Sequence, residues 1–427
     1  MTLARRPVLG GFLCRFLPGR ALAARSGRRI GRWLAVSLAV SAPPAAAQEF
    51  VVSFGGDVNF ARSYQTPFPD RVVKAGVMPL ADTAATLRPF WAGADLNIIN
   101  VETVVSDRDG PGPAGKAFVF RSHPDSFRHL MDLGVNGFAL ANNHAYDHGR
   151  QGLADTLAFF HGERRRRAEP LLFAGIGRGQ GAFAPAVAQI AGVRVAFGSA
   201  SFGSGGFGPE GGDVGMAYLS VPSHFAAVLH GLANAEADLR ILALHHGTEN
   251  LVALDPGQRA LFRRGLDEAG VNLVLGHHPH VVRAVEADAA RGQAVFYSLG
   301  NLLFVGGAEK DSGPPGADYG LLGRAYFQRD RPGGAWRITA LEAVPLQGVH
   351  LAPRLMGPDR AAQTLARLNR LSEQSVGAAA AVRFDVRPQG GDSGLACFGG
   401  PWGRAAARLC CAFRRSGTAQ CDLPDPM

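Results

Sequence analysis

Six apolar runs in the sequence each end in a cluster of polar residues. In the clearest case, the run Val271 to Leu275 leads into Gly276-His277-His278-Pro279-His280. Ligands of open α/β sheets bind outside the carboxyl ends of the strands, so polar residues that follow several strands converge on one crevice. The pattern therefore predicts an active site built from strand ends. The other five clusters are Gly55-Gly56-Asp57, Asn100-Val101-Glu102, Asn142-Asn143-His144, His245-His246-Gly247 and Gly300-Asn301.

Strand-like runs alternate with helical patterns from Gln48 to about Val349, which is typical of an α/β fold. Amphipathic helices between apolar strands predict a layered fold with buried sheets. A glycine-rich segment, residues 201–215, predicts a loop beside the crevice. We expect a leader (1–47), one large domain (48–350) and a C-terminal helix with a cysteine-containing tail (351–427). The helical patterns cover Pro79 to Trp91, Pro124 to Leu133, Gly152 to His161, Pro222 to Ala233, Pro256 to Ala269 and a segment after Pro358.

The first 47 residues carry most of the positive charge. The net charge of the chain is +9, and this segment contributes eight arginines and no acidic residue, so the remainder is nearly neutral. The basic charge is therefore no sign of a nucleic acid partner. An arginine-rich start, a short apolar stretch from Trp33 to Ala42 and Ala45-Ala46-Ala47 follow the order of a secretory signal peptide.

The apolar stretch of this leader is far shorter than the ~20 residues that span a bilayer, which favours cleavage over an uncleaved anchor. We predict cleavage after Ala47, a mature chain without a transmembrane segment, and a periplasmic or secreted location. Arg28-Arg29 before the apolar stretch leaves both the general secretory route and the twin-arginine route open.

Four of the five cysteines lie near the C-terminal end of the chain. In an exported segment, four cysteines allow two disulfides in three connectivities, among which the sequence does not choose. A metal site made by four thiolates is the alternative, but none of the spacings is C-x-x-C. We therefore predict structural disulfides among Cys397, Cys410, Cys411 and Cys421.

The strand-end clusters offer carboxylate, amide and imidazole ligands and no thiolate. Such a set favours Mn²⁺, Zn²⁺, Fe or Mg²⁺ over Cu(I), and it is large enough for one or two divalent ions. Metal pairs ~4 Å apart activate water against phosphoryl groups, so hydrolysis of a phosphate or related ester is the expected chemistry. His224, His230, His246 and His277 are interpreted as packing or surface residues. The candidate ligands are Asp57, Asn100, Glu102, Asn143, His245, His278 and His280.

His144 is the candidate general acid. The preceding Asn143 can ligate metal through its side-chain oxygen and so hold the imidazole over a substrate, where protonation of the leaving oxygen is worth roughly 10²–10⁴-fold. Asp147, three residues further on, can bind the ring and fix its tautomer. The catalytic residues predicted from the sequence are therefore His144 and Asp147.

At these positions the chain resembles the CapA-type capsule-synthesis proteins, a family associated with poly-γ-glutamate capsules. The resemblance runs in order from about residue 50 to 305. It implies a calcineurin-like metallophosphoesterase fold, a four-layer α-β-β-α sandwich of two sheets flanked by helices, with the motifs around a metal site. The motifs are Gly56 to Phe60, Asn100 to Glu102, Ala141 to Gly149, His245 to Glu249, Gly276 to Val281 and Tyr297 to Asn301.

Carried over residue by residue, the resemblance implies metal ligation by the candidates above except Asn100, with His144 as the acid. Glu249 and Asn301 are then assigned to the substrate side. The sequence departs from the family at His246, where an aromatic residue is usual, at Asn250, where tyrosine is usual, and at His277, where a small residue is common.

Two functions from different classes follow. The first is an exported metal-dependent hydrolase of the metallophosphoesterase type that acts on an envelope polymer or its precursor, in poly-γ-glutamate or polysaccharide handling. The second is a non-catalytic, metal-containing scaffold of a capsule synthesis or export assembly. A secreted nucleotidase would need a nucleoside pocket that the sequence does not display.

Overall fold

The computed structural model describes residues 47–60, 71–73, 77–108, 116, 118–203, 206, 208–305, 318–386, 391–399 and 402–413. The predicted signal peptide, up to Ala46, and Cys421 lie outside the described residues. Within them, no helix has the length and apolar character needed to cross a membrane. The described residues belong to one compact unit.

The strands and helices follow the alternation that the sequence predicts. The strands are β1 (Gln48–Asn59), β2 (Arg71–Val73), β3 (Val77–Pro79), β4 (Leu96–Val101), β5 (Val104–Val105), β6 (Arg121–Ser122), β7 (Gly137–Ala139), β8 (Leu172–Ala174), β9 (Ile176–Arg178), β10 (Ala186–Ile190), β11 (Val193–Ser201), β12 (Val214–Met216), β13 (Leu239–His245), β14 (Leu273–His277), β15 (Val285–Asp288), β16 (Gln293–Phe296), β17 (Asn301–Phe304), β18 (Gly320–Arg329), β19 (Arg337–Gln347), β20 (Arg354–Leu355), β21 (Asp385–Val386) and β22 (Gly394–Cys397). The helices are α1 (Arg88–Ala92), α2 (Pro124–Asp132), α3 (Gly149–Arg166), α4 (Pro222–Asn234), α5 (Gln258–Ala269), α6 (Pro358–Val376) and α7 (Arg404–Phe413).

Most strands belong to two sheets. The first has the order β21-β22-β19-β18-β1-β4-β7-β8, with β17 also paired to β1 and β20 to β19. In it β1 is parallel to β4 and antiparallel to β18. The second has the order β10-β11-β13-β14-β16-β15, and β11, β13, β14 and β16 are parallel. The carboxyl ends of its parallel strands therefore share one edge.

The main hydrophobic core lies between the two sheets. Phe50, Val52 and Phe54 alternate along β1 and so point to one face, where they join a buried cluster with Phe197 of β11 and Ile241 of β13. Helices α2 and α3 cover the other face of the first sheet, and α4 and α5 cover the other face of the second. The predicted four-layer α-β-β-α sandwich is confirmed.

Helix boundaries follow local chemistry. Helix α2 begins with Pro124, and the His123 ring accepts a hydrogen bond from the amide of Asp125 at 3.2 Å. The predicted helix over Pro79 to Trp91 is wrong in extent, because only α1 and two 3-10 turns form there. Ala84 has φ of 57°, which interrupts any continuous helix.

The residues after 350 add to the same sheets. Helix α6 buries Ala361, Leu365 and Leu368 in the cluster between the sheets, and β22 extends the first sheet beside β19. A disulfide joins Cys397 of β22 to Cys410 of α7. Cys411 is also disulfide-bonded. This part of the structure confirms one predicted disulfide and gives it a role, the attachment of α7 to the sheet.

Candidate metal centre

The end of β1 brings Asp57 against two neighbouring strand ends. Asp57 pairs with Asn100 of β4 on one side and with Asn301 of β17 on the other. The backbone at Gly56 passes so close to β17 that an added Cβ would lie 1.9 Å from the carbonyl oxygen of Gly300. Only glycine has room at position 56. The close contact of the two backbones there aligns Asp57 with both neighbouring strands.

The second sheet contributes its histidines at the same place. His245 ends β13, and it pairs in register with His277, which ends β14. The turn after His277 reaches the first sheet, where the backbone amide of His278 donates a hydrogen bond to Asp57 Oδ2 at 3.2 Å. His278 and His280 have φ of 94° and 54°, a region that costs free energy for residues other than glycine.

Asp57 is fully buried and surrounded by donors. Asn100 Nδ2 donates to its Oδ1 at 2.8 Å, His277 Nδ1 lies 3.2 Å from the same oxygen, and His280 Nδ1 lies 3.3 Å from Oδ2. Burial by itself would raise the pKa of this carboxyl, but His277 and His280 together hold the pKa well below its ordinary value. Asp57 is therefore ionised and ready to ligate a cation.

Glu102 has the environment of a metal ligand. It is completely buried, and neither carboxylate oxygen has a hydrogen-bond partner among the described residues. Its Oε1 lies 3.5 Å from His245 Nε2 and 3.6 Å from His280 Nε2. Burial, followed by the negative charges of Asp57 and Glu249, raises the pKa of this carboxyl well above its ordinary value. Such an environment suits a carboxylate only when a positive ion compensates it.

The neighbouring ligand atoms complete a site suited to a divalent metal ion. Within the described part of the chain, two groups have ligand atoms within 4.8 Å of one another, one of Asp57, Glu102 and His245, the other of Glu102, His278 and His280. Burial, followed by the positive charge of other histidines, lowers the pKa of His245 well below its ordinary value and lowers that of His278 to about 3. Both rings are therefore neutral, as metal ligation requires.

Two asparagines add amide oxygens. Asn143 Oδ1 lies 2.8 Å from His245 Nε2. Asn100 turns its Nδ2 toward Asp57, and among the described residues its Oδ1 is buried without a partner. Carboxylate, amide oxygen and imidazole together match the donor set of Mn²⁺, Zn²⁺, Fe and Mg²⁺, and the donor atoms present therefore fit such an ion.

His144 and Asp147 form a pair beside these ligands. His144 Nδ1 lies 2.7 Å from Asp147 Oδ2, and Asp147 also accepts a hydrogen bond from the amide of Phe120 at 2.6 Å. Burial lowers the pKa of His144, although the negative charge of Asp147 opposes this effect. With Nδ1 turned to Asp147, the atom left to act on a substrate is Nε2.

The predicted substrate-side residues occupy different environments. Glu249 is largely exposed, with Oε1 3.9 Å from His278 Nε2. Asn301 is buried, and its Oδ1 lies 2.8 Å from His280 Nδ1, so it orients a candidate ligand. The structure thus brings together the residues that the sequence predicts for the site.

Three further residues at the site are absent from the sequence prediction. Lys116 donates to the backbone oxygen of Asn143 at 2.6 Å and contacts the Asp147 carboxylate. Phe202 stacks on His245 with the rings 6° from parallel, and its ring centroid is 4.4 Å from that of His278. His277, for which the sequence indicates a packing or surface position, is buried with its Nδ1 3.2 Å from Asp57 Oδ1. Phe202 does follow a strand end, that of β11, and this position is the signal that would have found it.

Several known proteins are similar in sequence to the part of the chain that forms this site. The family model described as "Bacterial capsule synthesis protein PGA_cap" matches residues 51–305. The PGA biosynthesis protein CapA of Bacillus subtilis is 28% identical over 219 residues, which cover 51% of this chain and 55% of that protein. A probable polyglutamine synthesis accessory protein of Mycobacterium tuberculosis is 30% identical over 223 residues, 49% of this chain and 55% of that protein.

The chain spans about half the length of these curated relatives. Among solved structures, the calcineurin-like phosphoesterase YfkN from Bacillus subtilis covers 77% of this chain and 98% of its own, with 12% identity and a TM-score of 0.39. The family model covers the region that holds every candidate ligand described above. The protein belongs to the family of bacterial capsule synthesis proteins described as PGA_cap.

Proposed function

We propose that this protein is an exported metal-dependent hydrolase that cleaves a phosphate or related ester during the synthesis of poly-γ-glutamate or another envelope polymer. The observation that carries the proposal is the buried carboxylate of Glu102 beside three histidines and Asp57. A buried carboxylate without a partner destabilises a core that has only a structural role. A divalent ion bound to it removes that penalty and stabilises the folded state.

The ligands proposed for the ion or ions come from both sheets. Asp57, Asn100, Glu102 and Asn143 would bind from the first sheet and its following loops, and His245, His278 and His280 from the second. A divalent ion held there supplies Lewis acidity and lowers the pKa of water toward neutrality. Manganese, zinc, iron and magnesium all suit the donor set, in one or two copies.

The protein's own groups perform the proton transfer. Asp147 accepts the Nδ1 proton of His144 at 2.7 Å and so orients Nε2 toward the leaving oxygen; in the doubly protonated form of the ring, Nε2 gives its proton to that oxygen and the ring becomes neutral. The amide of Phe120 and Lys116 hold Asp147 in turn. His144 therefore serves as the general acid, Asp147 positions it, and exposed Glu249 contacts the substrate at the mouth of the site.

The proposed substrate is an envelope polymer or its precursor, and other capsule synthesis or export proteins are the proposed partners. The CapA protein of Bacillus subtilis is named for PGA biosynthesis. The family membership of this chain supports a role in the synthesis of a similar polymer. The arginine-rich leader supports a periplasmic or secreted location, with a disulfide that joins β22 to α7.

The test is hydrolysis by the purified mature protein loaded with Mn²⁺ or Zn²⁺. We expect p-nitrophenol release from p-nitrophenyl phosphate or bis-p-nitrophenyl phosphate, and loss of this activity in Asp57→Asn. His230→Ala, which changes an exposed histidine on α4, is the matched control. Metal binding without hydrolysis of phosphoesters or of isolated envelope polymer would favour the scaffold function instead.

A further inference from the structure

His277 occupies a rigid and buried position at the end of β14. It is 1% exposed, it pairs with His245 in the neighbouring strand, and its carbonyl oxygen accepts a hydrogen bond from the amide of His246 at 3.0 Å. The preceding Gly276 lies so close to Tyr297 that an added Cβ would be 2.2 Å from the Tyr297 carbonyl oxygen. The backbone therefore leaves the His277 ring little freedom to move.

The His277 ring faces one oxygen of a candidate metal ligand. Its Nδ1 lies 3.2 Å from Asp57 Oδ1, and among the described residues neither ring nitrogen makes a hydrogen bond of regular geometry, so a small rotation of the ring or carboxylate would complete one between these two atoms. Burial of a polar ring costs free energy unless a polar contact compensates it, and the contact with Asp57 is available to do so. The other oxygen of Asp57 faces the amide of His278 and the ring of His280.

His277 stands just outside the set of ligand atoms. The two groups of the described residues with ligand atoms within 4.8 Å of one another contain Asp57, Glu102, His245, His278 and His280, and neither contains His277. A residue that touches a ligand but does not itself reach the ion is suited to fix the orientation of that ligand.

We propose that His277 is a positioning residue, which donates its Nδ1 proton to Asp57 Oδ1 and holds this carboxylate in the orientation that binds metal. The inference rests on the metal binding in the proposed function and does not require catalysis. Loss of a group that orients a metal ligand typically weakens metal affinity by 10–100-fold.

The test measures Mn²⁺ affinity of the chelator-treated mature protein by isothermal titration, for wild type and three variants at residue 277. His277→Ala removes the ring, and we expect roughly 10–100-fold weaker binding. His277→Asn places an amide near the position of Nδ1 and should restore most of the affinity. His277→Gln places its amide near the position of Nε2, away from Asp57. It should not restore the affinity, although the glutamine side chain is closer in size to histidine than asparagine is.

His246→Ala is the control, because it removes an imidazole from the adjacent strand end without touching Asp57. Equal affinity of wild type and His277→Ala would overturn the proposal, and so would identical behaviour of the Asn and Gln variants. If the alanine variant does not fold, the comparison of Asn with Gln still decides. A wild-type protein that binds neither Mn²⁺ nor Zn²⁺ would instead contradict the proposed function, and titration of the wild type with each ion shows this first.

Discussion

The Nε2 atom of His245 lies 2.8 Å from Oδ1 of Asn143, although the two residues belong to different sheets. His245 ends β13 of the second sheet, and Asn143 follows β7 of the first. The candidate metal centre therefore forms only when the two sheets pack together. A substitution in the core between the sheets should weaken metal binding even when it touches no ligand.

Replacement of His280 should empty the site. His280 Nε2 lies 3.6 Å from Glu102 and Nδ1 lies 3.3 Å from Asp57, so His280→Ala removes a donor from the centre of the ligand set. We expect reduced bound metal and no hydrolysis, measured by elemental analysis and p-nitrophenol release. His230→Ala should keep both. Full metal content in His280→Ala would remove this residue from the ligand set.

Replacement of His144 should separate catalysis from metal binding. His144→Ala should retain its metal while it loses roughly 10²-fold or more in rate on a substrate with a poor leaving group, because general acid catalysis contributes about that much. The loss on p-nitrophenyl phosphate should be smaller, since p-nitrophenolate leaves without a proton. Loss of bound metal in this variant would make His144 a ligand, and an equal loss on both substrates would contradict its role as the acid.

Replacement of Glu102 should stabilise the metal-free protein. The pKa of this carboxyl is raised by burial and by Asp57, so the folded state binds its proton more tightly than the unfolded chain. The apoprotein should therefore lose stability as the pH rises from the ordinary pKa of 4.5 toward the raised one, at about 1.4 kcal/mol for each unit of the shift. Glu102→Gln removes the charge, so the stability of this variant should not fall in the same way as the pH rises.

The measurement is the Tm of wild type and Glu102→Gln in chelator. The variant should melt at a higher temperature at pH 7.5, and the difference should shrink at pH 5, because the raised pKa lets the folded wild type take up a proton as the pH falls. With Mn²⁺ present, the order should reverse, because only the wild type gains binding free energy. A variant less stable than the wild type in chelator at both pH values would argue against a strained carboxylate.

The disulfide between Cys397 and Cys410 should hold α7 on the sheet. It closes a loop of 13 residues, for which the chain-entropy account gives about 3 kcal/mol. The double replacement Cys397→Ser with Cys410→Ser should lower Tm, and reductant should lower the Tm of the wild type more than that of the variant. Exported wild-type protein, unfolded without reductant, should show no free thiol. Four reactive thiols there would contradict the assignment.

Export should leave Gln48 at or near the mature amino terminus. Gln48 begins β1, and its side-chain oxygen accepts two hydrogen bonds from Arg329, at 3.0 and 2.7 Å. Cleavage after Ala47 would therefore leave the ordered strand intact. Mass analysis of periplasmic material checks the terminus, and an intact Met1 start would contradict the prediction.

The sequence predicts the layers and the site because both depend on short-range patterns. An apolar run followed by polar residues, as at Asp57 or His245, marks a strand end wherever it occurs, and parallel strands bring such ends to one edge. The break at Ala84 is different, because no proline or glycine marks it in the sequence, and the residues beside it make contacts with distant parts of the chain. Thr86 donates to the carbonyl oxygen of Pro353 at 2.6 Å, a contact across 267 positions.

The contact of His277 with Asp57 is a second feature that short sequence patterns do not predict. In a regular strand, consecutive residues point to opposite faces, so His277 and His278 should not both face the site. His277 contacts Asp57 through its ring and His278 through its backbone amide, and the positive φ of His278 turns the chain so that the His278 ring lies with Glu102 and His280. A backbone conformation that is rare for histidine is not readable from the residue types, and it determines which rings reach the carboxylate.

The position of β1 in the middle of the first sheet also bears on how the chain folds. Its parallel neighbour β4 follows closely, but its antiparallel neighbour β18 ends at Arg329, and the pair from Gln48 to Arg329 joins positions 281 apart. Pairings so distant form slowly, and until β18 arrives the edge of β1 from Gln48 to Phe54 has no partner. A fragment that ends before Gly320 would keep that edge open, and we expect it to aggregate rather than to fold.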